Sequence, residues 1–175
     1  MAFLRGMNLG NRRIKNTELV AAFEDMGFAG AVAFQASGNV IFDGGRAREA
    51  TLRAKIEAGL EERLGYPVPT LIRSAGEVVA IADAAPFDDA TLATTEGRLQ
   101  VILLGEAPDA ATRAAIEGDS SDDDRLVVDG RLIYWLPRKG ISDSTLSQKR
   151  LDRDLGTTTV RTHKTFGRLR GKVSG

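Results

Sequence analysis

The sequence has no cysteine and only one histidine, His163. The first absence excludes disulfides, thiolate zinc sites and cysteine nucleophiles, and the second excludes a histidine-rich metal centre. No apolar run approaches the roughly 18 residues needed to span a bilayer. The opening Met-Ala-Phe-Leu-Arg-Gly lacks the basic-then-apolar order of a secretory signal. The expectation is a cytoplasmic chain with no cofactor, no metal and no membrane partner. Acids and bases balance at 24 each, so no excess charge recruits nucleic acid, which is not the expected partner.

What is present is unevenly placed. Residues 1–15 hold Arg5, Arg12, Arg13 and Lys15 and no acid, a net of +4. Residues 161–175 hold Arg161, Lys164, Arg168, Arg170 and Lys172, a net of +5. Residues 83–129 carry 12 acids against 3 bases, a net of −9. Such segregation can steer an anionic partner, although charged loops are most often simply solvated.

Periodicity gives the architecture. Met1–Arg5 reads as a short strand, and Leu19, Phe23 and Met26 give a helix over Thr17–Met26 that stops at Gly27. Ala31–Ala36 and Asn39–Asp43 are β-type runs around the turn signal Ser37-Gly38. Leu52, Ile56, Leu60 and Leu64 recur every fourth residue, which predicts a helix over 46–64 ended by Gly65. Val68–Arg73 is a strand that Pro67 and Pro69 assign to a sheet edge. Ser74 with Glu77 forms a capping box for a connecting helix over 75–84.

The order then repeats. A strand over Leu99–Leu104 precedes a helix over Pro108–Ile116, capped near Asp109. Arg125–Val128 and Leu132–Leu136 flank Asp129-Gly130, the signal of a type I′ turn. A helix over 144–155, a strand over Thr157–Arg161 and a short basic segment complete the chain. The expected fold is α+β, two ferredoxin-like βαββαβ halves packed into one compact unit. The halves are 1–73 and 98–175, joined by a helical connector over 74–97.

That topology sets an expectation for function. In a split βαβ sheet the first strand lies antiparallel beside the third, so the loop after Arg5 should meet the turn at 36–39. Arg5 and Lys15 supply charge, Gly10 close backbone approach, and Asn8, Ser37 and Asn39 neutral hydrogen bonds. With a helix start alongside, these six residues form a candidate cradle for a phosphate- or carboxylate-bearing ligand. Equally, the glycines could serve only backbone angles, and Asn8 and Asn39 could cap turns. Enzymatic alternatives, a hydrolase or transferase, need a base, for which Glu18 and Asp43 flank the loops. Weak non-specific nucleic-acid binding or homodimerisation through sheet edges are the remaining alternatives.

Several familiar motifs are absent. Nothing matches GxxxxGK[ST] or GxGxxG after the first strand, and no GxSxG surrounds a serine. "NVIFD" offers Phe42 alone, too little for an RNA-stacking sheet. His163 lacks a recognisable triad pattern. Alternation places Tyr134 and Trp135 on opposite faces of one strand, where they pack rather than bind.

Three segments, "LRGMNLG" (4–10), "GF" (27–28) and "SGNVIF" (37–42), resemble the N-terminal signature of the bacterial family catalogued as domain of unknown function 1697. Gly156, Thr159, Arg161, Thr165, Arg168 and Leu169 resemble its C-terminal motif, with Thr162 and His163 where members often have Asn and Trp. The resemblance implies an α+β fold of ferredoxin-like halves and no assigned activity.

Overall fold

The computed structural model describes residues 1–7, 14–35, 38–95, 98–144, 146 and 148–173. It divides into two compact units, Met1–Glu77 and Val78–Gly175. Among the described residues are two four-stranded antiparallel sheets and seven α-helices.

In the first unit the order is β1 (Ala2–Leu4), α1 (Asn16–Asp25), β2 (Val32–Phe34), β3 (Asn39–Ile41), α2 (Glu49–Leu64) and β4 (Thr70–Ile72). The strands are ordered β2-β3-β1-β4, so β1 runs antiparallel beside β3, as expected. β4 is an edge strand, where its flanking prolines can be tolerated. Alternation gives Ala2, Leu4, Val40 and Ile72 to one face. There they pack against Leu19 and Phe23 of α1 and Ile56 and Leu60 of α2. The four-residue repeat of α2 is thus a buried stripe, and Gly65 closes it at φ 75°. Phe28 lies 4.8 Å from Phe42 and 5.8 Å from Phe23, ring centre to ring centre, and Lys55 Nζ lies 4.9 Å from the Phe28 centroid. Phe3, Asn39 and Leu71 share the opposite face and are also buried.

α3 (Ala75–Asp83) follows, capped by Ser74: Glu77 accepts from the Ser74 amide at 2.8 Å, and Ser74 Oγ accepts from the Glu77 amide at 3.2 Å. The remaining elements are α4 (Asp89–Ala93), β5 (Gln100–Leu104), α5 (Ala110–Gly118), β6 (Asp124–Asp129), β7 (Leu132–Pro137), α6 (Gln148–Leu155), β8 (Thr158–Thr162) and α7 (His163–Val173). The second sheet is ordered β6-β7-β5-β8. Ile102, Leu104, Leu126, Val128, Ile133 and Trp135 form its core face, with Ile116 of α5 and Leu151 of α6. Tyr134, on the other face by alternation, is buried as well.

Three details differ from expectation. The hairpin between β6 and β7 turns on Gly130-Arg131, because Asp129 already pairs with Leu132. Only Gly130 has positive φ, which fits a II′ turn; type I′ needs positive φ at both central residues. The connector contains α4, capped by Asp88, whose carboxylate accepts from the Thr91 amide at 2.6 Å. The closing basic segment is a helix, α7, anchored by buried Thr165, Phe166 and Leu169.

No helix among the described residues is long and apolar enough to cross a membrane.

Candidate functional site

The exit of β1 is held on both sides. The Leu4 amide donates to Gly38 O at 2.7 Å, and the Arg5 amide donates to Pro69 O at 2.9 Å. Gly6 then turns the chain at φ 74°. Across from it, Gly38 has φ 69°, and Gln35 takes a left-handed φ of 59°, unusual for a residue with a side chain. A Cβ on Gly38 would lie 3.1 Å from Leu4 Cβ and 3.2 Å from both Leu4 O and Met7 Cγ. The start of the strand 1 loop and the end of the β2–β3 turn are therefore in direct contact, the juxtaposition the topology requires.

The candidate residues fare differently. Arg5 is half-buried at the β1 exit. Lys15 is exposed and stands at the N-cap of α1. Asn39 is fully buried in β3, and its side-chain amide donates to Phe34 O at 3.3 Å, tying the two ends of the turn together. Asn8, Gly10 and Ser37 lie outside the described residues.

The electrostatics at the helix start are mixed. Glu18 Oε2 accepts from the Lys15 amide at 2.9 Å, so a carboxylate already answers part of the α1 dipole. Asp43 Oδ1 accepts from the Gly45 amide at 2.8 Å. Both acids proposed as possible bases are thus engaged in capping the local backbone. His163 Nε2 lies 2.8 Å from Ile81 O, which makes that nitrogen the protonated donor. This bond ties the start of α7 to α3 and leaves only Nδ1 for other chemistry.

The chain matches the family described as Protein of unknown function (DUF1697) over residues 1–134. It belongs to that family. The match covers the strand 1 loop and the β2–β3 turn and ends before Trp135, so the C-terminal motif lies beyond it. No curated protein matches this DUF1697 chain. Its fold is similar to that of the conserved bacterial protein SP0830 from Streptococcus pneumoniae, with 17% identity and a TM-score of 0.68. That likeness covers 99% of this chain and 97% of the other, and at such identity it concerns fold alone.

Two groups of residues escaped sequence reasoning. The first is a matched pair of arginines at the ends of the two sheets. Arg73 follows β4 and precedes the Ser74 cap of α3. Arg161 lies in β8 and precedes Thr162, whose hydroxyl meets that of Thr165 at 2.9 Å in the first turn of α7. Each guanidinium donates back to the preceding carbonyl, Arg73 to Ile72 O at 2.7 Å and Arg161 to Val160 O at 2.8 Å. Arg161 also donates to Thr159 Oγ1 at 2.8 Å, and burial pushes its pKa down to about 10. The shared Arg-Ser/Thr-helix order was the available signal. The second is a cavity of about 340 Å³ at the end of the first sheet remote from the loop, walled by Phe42, Leu52, Ile72, Arg73, Glu49 and Glu77 among others.

Proposed function

We propose that this chain is a cytoplasmic protein of two ferredoxin-like halves that binds a small phosphate- or carboxylate-bearing anion where the β1 exit meets the β2–β3 turn. The βαββαβ element order and the matching strand orders of the two sheets support the ferredoxin-like reading. The observation that carries the ligand reading is the close fit of Gly38 against Leu4 and Met7. It brings a half-buried arginine and a left-handed turn to one sheet end. Arg5 is assigned the bidentate clamp and Lys15 a movable point charge, with Asn8 and Ser37 orienting the ligand and Gly10 allowing close approach. Asn39 is assigned to hold the turn in shape.

Homodimerisation through sheet edges has less support, because two of the edges are closed internally. Glu57 accepts from the Thr70 amide of β4 at 2.8 Å. Ser121, Ser120 and Glu117 accept from the Asp124, Leu126 and Val128 amides of β6. Such edges no longer present open ladders.

A thermal-shift panel of inorganic phosphate, phosphomonoesters and small carboxylates tests the proposal. An anion that binds raises the melting temperature by mass action, and Arg5→Ala and Lys15→Ala each weaken that response. A response unchanged in both variants removes the site.

A further inference from the structure

The C-terminal helix carries a feature that the anion site does not use. Lys164, Arg168 and Lys172 follow at four-residue steps on α7, all exposed, and α7 contains no acid. Four residues advance a helix about 6 Å while turning it only about 40° past a full circle, so the three form one ridge. None of them makes an ion pair among the described residues. Their neighbours do: Arg170 pairs with Asp83 at 2.5 Å, and on α6 Arg150 pairs with Asp119 at 2.7 Å. Lys164 also stands in the first helical turn, where the dipole disfavours a cation, so helix stability does not account for it.

We propose that the Lys164–Arg168–Lys172 ridge is a contact surface for the phosphate backbone of duplex nucleic acid. The ridge spaces three cations about 6 Å apart, so each can meet a separate backbone phosphate. A lipid surface fits less well, because the apolar side of α7, Phe166 and Leu169, is committed to the protein core and has nothing to insert. A single strand fits less well too. Of the two rings on α7, Phe166 is fully buried and His163 is half-buried and held by Ile81 O, so neither is presented to stack a base. The contact is therefore with backbone charge alone and is independent of sequence. Zero net charge does not oppose it, since a local ridge sets a local field.

The test is fluorescence anisotropy of a labelled short DNA duplex with the whole chain, repeated across sodium chloride concentrations. Binding is expected at low ionic strength and is equal for unrelated sequences. Its log–log salt slope is expected to be about −2.7, from three phosphates at about 0.9 each. Replacing all three cations with Gln lowers affinity at least tenfold, whereas Arg53→Gln with Arg98→Gln leaves it unchanged. Melting followed by circular dichroism checks that the variants fold. Should the triple variant not fold, Lys164→Gln alone still reduces the slope by about one unit. The proposal is overturned by no binding at the lowest salt, or by variants that bind like the parent. Equal binding to phosphatidylserine vesicles or to polyglutamate overturns it as well.

Discussion

The indole N–H of Trp135 donates to Asp124 Oδ1 at 2.7 Å, with both residues buried on the helix-covered face of the second sheet. Trp135 pairs in register with Leu126, so Asp124 is its diagonal neighbour on β6. This carboxylate lets a large aromatic be buried without an orphaned donor.

Asp124→Ala should therefore destabilise the protein by about 1–3 kcal/mol, the cost of stranding a buried donor. Asp124→Asn, which keeps an acceptor oxygen, should lose less. Trp135 is the only tryptophan, so its emission reports on this bond directly. An unchanged melting temperature and emission maximum in Asp124→Ala would show that the bond contributes nothing.

Gly38→Ala should be more costly than Gly65→Ala. Both glycines have positive φ, 69° and 75°, so the conformational penalty is common to the two, about 1 kcal/mol. A Cβ at Gly65 meets nothing within 4 Å, whereas at Gly38 it presses on Leu4 and Met7. The excess, expected at about 1 kcal/mol or more by chemical denaturation, measures the contact between loop and turn. Equal losses would mean that the contact is loose, and the proposed anion site would lose its principal support.

Gln35 offers the opposite sign. At φ 59° its side chain crowds the backbone, and glycine there gives relief at the cost of unfolded-chain entropy. Gln35→Gly should be stabilising by a few tenths to about 1 kcal/mol, and Gln35→Val clearly destabilising. If Gln35→Val matches the parent in denaturant, the turn does not hold that conformation.

Local pattern carried most of the architecture. The repeat of Leu52, Ile56, Leu60 and Leu64 and the stop at Gly65 are short-range signals, and α2 follows them closely. β4 is likewise an edge strand where the prolines indicated one. What was not legible depends on partners distant in sequence. Asn39 looks like a ligand group in "SGNV", but its register opposite Phe3 buries it completely. Arg73 reads as a surface charge by composition, and the fold leaves it 1% exposed. α7 was hidden by Gly167 and Gly171 and by a first turn without acids, all poor local helix signals that Phe166 and Leu169 override by burial.

Tyr134 gives a prediction in pH. Burial, with Asp129 nearby, pushes its phenol up from 10.0 to about 12. In the unfolded chain the phenol loses its proton near pH 10, while in the folded chain it keeps it. Between pH 10 and 12 the native state therefore binds more protons than the unfolded state, and stability must fall as pH rises. The contribution is fully present below pH 10, and its loss steepens towards about 1.4 kcal/mol per pH unit within the window. Tyr134→Phe should flatten this decline, and tyrosinate absorbance in the parent should show a fraction that appears only on unfolding. If both proteins weaken in parallel above pH 10, the phenol ionises without strain and its burial is not what the geometry indicates.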